Sequence, residues 1–97
     1  MNNKRNLCRS IEVHGQTYVV SWFFKGRHTL CCILDADAKS TLGIGMTVKN
    51  PSDRHNKSIA MRESARKAIY GEDGLACPVS IRRDVFKGIR TFLYDRG

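Results

Sequence analysis

Near the end of the chain, in SIRRDVFKGIRTFLYDRG, three cations and an aromatic ring recur at helical spacing: Arg83, Lys87, Arg90 and Tyr94. At about 100° per residue, their directions fall within about 60° of one another. Such a cluster breaks no bonds; its chemistry is binding. Guanidinium and ammonium groups pair with carboxylates or phosphates, and a tyrosine ring stacks or donates a hydrogen bond. Like charges one turn apart destabilise a helix by roughly 0.2–0.5 kcal/mol. The cluster therefore stands there at a small structural loss. A second basic pair, Arg62 and Arg66, lies one turn apart upstream, with Lys67 further round. Lys25, Arg27, Arg54 and Lys57 fall in expected turns and loops.

Other combinations of reactive residues lack their companions. ILDADAKS has an apolar run followed by Asp35-x-Asp37, as in magnesium-dependent phosphotransferases, but the parallel sheet, lysine and second acidic pair of that chemistry are missing. As a calcium loop it fails too, because Lys39 occupies a ligand position and no bidentate glutamate comes after it. Gly43-Ile44-Gly45 sits inside a strand pattern rather than at a strand-to-helix turn, so it is no dinucleotide fingerprint. Ser64-x-x-Lys67 has no partner motif. His28 and Cys31 resemble half a zinc site, yet no paired C-x₂-C knuckle completes it. Neither a cofactor nor a metal is expected, and no catalytic group stands in a convincing setting.

The elements that carry the basic residues are legible from period and punctuation. Residues 1–9 read as a polar segment and residues 10–49 as a β meander. Ser10–Val13 is a short extended piece, turning at His14-Gly15-Gln16. Thr17–Phe24 is rich in β-branched and aromatic residues, with Tyr18, Val20, Trp22 and Phe24 on one face and Val19, Ser21 and Phe23 on the other. Two apolar faces point to a central strand. Lys25-Gly26-Arg27-His28 turns into a strand over Thr29–Leu34. In Thr41–Lys49, Leu42, Ile44, Met46 and Val48 alternate with Gly43, Gly45 and Thr47, and the two glycines leave room for a backbone to pack close.

At NPSDRHNKS the period changes from two to that of a helix. Pro51 ends the strand, and Ser52, Asp53 or Asn56 is positioned to cap the helix beyond it. Met61, Ala65, Ala68 and Ile69 share one arc of that helix, which reaches roughly to Tyr70, with Gly71 suited to its C′ position. Pro78 lies near the next helix start and Ser80 is a candidate N-cap. There Ile81, Val85, Ile89, Phe92 and Leu93 make a wide apolar arc opposite the basic face, with Phe86 at its margin. Residues 52–97 thus form a two-helix segment. The whole is a single α+β domain, 1–97: a three- or four-stranded antiparallel meander followed by two helices packed on the sheet.

Ninety-seven residues leave no room for a second core. Seventeen Lys and Arg against nine Asp and Glu give a formal charge of +8, which favours acidic partners or nucleic acid. The N-terminal residues lack the apolar run of a signal peptide, and no apolar stretch is long enough to span a membrane. Adjacent strand residues point to opposite faces, so Cys31 and Cys32 do not bond each other. Four reduced cysteines used as small apolar residues fit a cytoplasmic protein with no membrane partner.

In size, basic balance, reduced cysteines and strands-then-helices layout, the whole chain resembles the small anti-RecBCD proteins of lambdoid bacteriophages. YVVSWFF, LGIGMTV and SIRRDVFKGIRTFLYDRG are the stretches that give it this character. The resemblance implies a non-enzymatic phage protein, acting in the host cytoplasm, that binds a host recombination nuclease/helicase and alters its action on DNA ends. Direct, sequence-independent binding of nucleic acid through phosphate contacts is the alternative. The Pro78 loop offers an X-Pro bond on which a prolyl isomerase could act.

Overall fold

The computed structural model describes residues 5–48, 57–72 and 74–95, with side-chain surroundings described for 7–48, 59–72 and 74–93. Four strands come first: β1 (Arg5–Val13), β2 (Gln16–Lys25), β3 (His28–Asp35) and β4 (Ser40–Val48). Two helices come after them, α1 (Lys57–Tyr70) and α2 (Val79–Asp95). The sheet order is β1-β2-β3-β4 and every pairing is antiparallel, so the chain is an α+β meander with two helices on one face. The expected capping residues Ser52, Asp53 and Asn56, with Pro51, lie outside the described residues.

Two-residue turns set the register of the first two hairpins. His14 and Gly15 both take positive φ (54° and 78°) between paired Val13 and Gln16, the type I′ geometry that matches the natural twist of a hairpin. Gly26 (φ 58°) leads the turn between paired Lys25 and His28, as a type II′ turn requires. The third connection is longer and is knotted by Asp35. Its Oδ1 accepts hydrogen bonds from the backbone N–H of Asp37 (2.9 Å) and Ala38 (3.1 Å) and from the Gln16 amide (3.1 Å). These donors, Ala38 foremost, hold the Asp35 carboxyl below the usual carboxylate range. The Asp-x-Asp pair is thus a loop fastener: Gln16 Nε2 also donates to Asp37 Oδ2 at 2.8 Å.

β1 begins at Arg5, not at Ser10, so the expected polar segment 1–9 is largely strand. The alternation is present as Leu7, Ile11 and Val13, but Arg9 interrupts it at an inward position opposite Val20. Arg9 fits there because its guanidinium lies 4.3 Å from the centre of the Phe92 ring on α2. Phe92 in turn stacks on Trp22, with centroids 5.9 Å apart and planes at 23°. A cation held over an aromatic face satisfies a residue that simple patterning reads as solvent-facing.

The core lies between the inward sheet face and the helices, with Val20, Trp22, Cys31 and Ile33 meeting Met61, Ala65, Ile69, Val85 and Ile89. Trp22 is fully buried and its indole N–H donates to the Met61 carbonyl at 3.0 Å. Helix α1 packs on β4 at the two glycines: a Cβ on Gly43 would meet the Ala68 carbonyl, and one on Gly45 the Ser64 carbonyl and the Ala68 nitrogen. Gly71 (φ 81°) ends α1, and the Glu72 N–H bonds back to the Lys67 carbonyl at 3.2 Å, closing a Schellman-type cap. Ser80 is not the cap of α2. The helix starts at Val79, and the Pro78 carbonyl accepts from the Ile81 N–H at 3.1 Å, so proline stands just before the first turn.

Candidate functional site: the outer face of the last helix

Helix α2 runs antiparallel to β1, and three contacts fix its rotation. His14 Nε2 donates to Asp84 Oδ2 (3.1 Å), Gly88 sits against the Ile11 side chain, and Phe92 lies beneath Arg9. With Ile81, Val85, Ile89 and Leu93 buried toward the sheet, the opposite side of α2 is turned outward. Arg83, Lys87 and Arg90 are all exposed on it. The Arg90 guanidinium is 6.0 Å from the Phe86 ring centre, at the margin of the apolar arc. Tyr94 belongs to the last turn of α2, its side chain outside the described residues.

Among the described residues, neither Arg83 nor Lys87 has a carboxylate within ion-pair distance. The nearest acid on the helix, Asp84, is turned to His14. Lys87 also borders an open groove of about 490 Å³ between α2 and β1, shared with Ser10, Glu12, Asp84 and Thr91.

The basic residues of α1 are in a different state. Arg66 donates from Nε (3.3 Å) and Nη2 (3.0 Å) to Glu63 and from Nη1 (3.1 Å) to Glu72. Those two carboxylates, Glu63 first, push the guanidinium further toward its charged form. Arg62 stands 3.7 Å from the same Glu63. Lys67 Nζ donates to the Met46 carbonyl at 3.1 Å and so fastens α1 to β4. The chain itself supplies partners for the α1 cluster, and the two helices therefore do not present one continuous set of unengaged cations. Spacing alone cannot show this, because Glu72 is contributed by the turn after α1.

Two further arginines have roles that their positions in the sequence do not announce. Arg9 covers Phe92. Arg82 Nε donates to the Cys77 carbonyl at 2.8 Å, with its guanidinium 5.7 Å from the Tyr70 ring centre, which ties the start of α2 to the end of α1. The doublet Arg82-Arg83 thus splits into one structural and one outward residue.

The remaining reactive-looking groups are built into the fold. Ser64 is fully buried and its hydroxyl donates to the Ala60 carbonyl at 2.8 Å. His28 and Cys31 belong to opposite faces of β3, and among the described residues no three His, Cys, Asp or Glu side chains form a group able to hold a metal. All four cysteines are free; burial raises the thiols of Cys31 and Cys32 and pushes Cys77 up to about 11. Pro78 is exposed and its peptide bond is trans. Among the described residues, no helix is long and apolar enough to cross a membrane. Neither a protein-family model, nor a curated protein, nor a solved structure matches this chain.

Proposed function

We propose that the protein is a non-enzymatic modulator that docks through the outer face of α2 on an acidic surface of a nucleic-acid-handling protein. In the form suggested by its resemblance to the phage anti-RecBCD proteins, the partner is a host recombination nuclease/helicase of the RecBCD kind and the setting is the host cytoplasm. One observation carries this reading. Arg83 and Lys87 are exposed and unpaired with any carboxylate among the described residues, while the comparable α1 cluster is engaged within the chain. Exposed cations on a helix steer and orient an acidic partner, and the backbone that holds them is already fixed, so only side-chain freedom is lost on docking.

The test is degradation of linear duplex DNA by the purified nuclease/helicase, with and without the protein. Inhibition that saturates near one protein per enzyme is expected, and Arg83→Glu combined with Arg90→Glu should weaken it at least tenfold. Both positions are exposed, so the thermal midpoint of the double variant should stay close to that of the parent. Full inhibition by the double variant would remove α2 from the interface. A mobility shift of DNA by the protein alone, with log K falling by about 0.9 per neutralised phosphate against log salt, would instead favour direct phosphate binding.

A further inference from the structure

The helices cover one face of the sheet; among the described residues, no element covers the other. Its central rows have a definite relief. Phe23, Leu30 and Met46 are neighbours across β2, β3 and β4 and form a ridge of large apolar side chains. One row along, Cys8, Ser21 and Cys32 form a trough of small ones, closed on β4 by Ile44. Phe23 remains 39% and Met46 41% exposed, whereas Ser21, beside the ridge, is only 4% exposed. Between Glu12 near one end and Lys25 at the other, no outward strand position carries a full charge. A chain with net charge +8 thus keeps one broad face almost neutral.

We infer that this face is the contact between two copies of the chain, packed sheet on sheet about a two-fold axis. The relief is self-complementary over β2 and β3. Rows on one face are about 6.8 Å apart, and a two-fold axis running along the rows, midway between ridge and trough, places Phe23 and Leu30 of each copy over Ser21 and Cys32 of the other, with Met46 against Ile44 along β4. The strands then run antiparallel across the contact, in the aligned packing usual for paired sheets. Four strands of eight to ten residues present a face of roughly 500 Å² in projection. Two such faces together come to roughly 1,000 Å², the lower bound for a specific interface, so the contact is a weak, reversible one. The stretches MNNK and KNPSDRHN carry one large apolar side chain between them, Met1. An acidic partner would find nothing here to pair with, and its place is α2. The result is a four-layer particle with the two α2 basic faces on opposite outer sides.

Sedimentation equilibrium over a wide concentration range tests this directly. A mass approaching twice the 11.0 kDa of one chain is expected, with a reversible monomer at dilution. Alkylation of Cys32, at the centre of the trough, should accelerate severalfold on the same dilution. Phe23→Glu should shift the equilibrium to monomer at least a hundredfold in dissociation constant while the melting transition is retained. Met46→Lys is the second variant if the first fails to fold. A monomer at every concentration with unchanging Cys32 reactivity would overturn the inference. So would open-ended aggregates, or a monomeric parent that both Phe23→Glu and Met46→Lys unfold, since that would mean the chain covers its own sheet. None of these outcomes bears on inhibition by the α2 face, which is read separately.

Discussion

At Gly45 a single hydrogen in place of a side chain sets how closely a helix approaches a sheet. The Ser64 carbonyl and the Ala68 nitrogen occupy the space a Cβ would need, and the Lys67 Cβ lies 2.8 Å from it. All but the last are helix backbone, so relief requires α1 to move as a body rather than a side chain to rotate. That movement would lengthen the Trp22–Met61 hydrogen bond and the Lys67–Met46 bond, which both depend on the present spacing. Gly45→Ala should therefore destabilise by about 1–3 kcal/mol through overpacking. For a chain of this size that lowers the melting midpoint by roughly 4–8 °C per kcal/mol. Denaturant unfolding followed by tryptophan fluorescence measures it, since Trp22 reports the same contact. A neutral outcome would show that α1 stands further from β4 than backbone contact allows.

At the scale of elements, β1 depends on α2 as much as on β2. Its inward residues Leu7, Ile11 and Val13 pack under the helix, and Arg9 is held over Phe92 at the point where the strand would otherwise present a cation to the core. Arg9→Gln removes the cation–π contact, worth about 0.5–1 kcal/mol at such an exposed site. Hydrogen exchange should show β1 losing protection before β2 and β3 do. Equal loss throughout the sheet would mean that the contact supports global stability instead. Arg9 is also why β1 is half hidden in the sequence. Period two is a property of burial, and a guanidinium lying on an aromatic ring mimics burial without being apolar. By contrast, the glycine alternation of β4 and the apolar arc of α2 announce their strand and helix directly, because in α2 the packing surface consists of the side chains themselves and in β4 of the gaps the glycines leave. The candidate site is legible to the same degree. The outward direction of Arg83, Lys87 and Arg90 is dictated by the core arc, which the sequence prints. The pairing of Arg66 with Glu72 depends on how the Gly71 turn brings the chain back, and no spacing rule contains that.

For the whole molecule, the thiols make the core sensitive to alkali. Cys31 is fully buried in the sheet beneath the helices, and Cys77 is buried where the connection between α1 and α2 meets the core. Burial favours the neutral thiol over the thiolate, which raises Cys31 and pushes Cys77 up from 9.0 to about 11, with Arg82 pulling the latter back slightly. A group raised in the folded state stabilises it fully below the unfolded value, and that contribution disappears as pH climbs toward the folded value. For Cys77 the window runs from about 9 to about 11. Over that span the unfolded chain gives up a proton that the folded chain retains, so the thermal midpoint should fall with rising pH. Other groups titrate in the same range, and the discriminating quantity is the difference between the parent and Cys77→Ala. The variant should begin lower, having lost buried volume, but its midpoint should decline less steeply between pH 9 and 11. Parallel curves for the two proteins would show that the Cys77 thiol is open to water, and with it the junction that Arg82 closes between the helices.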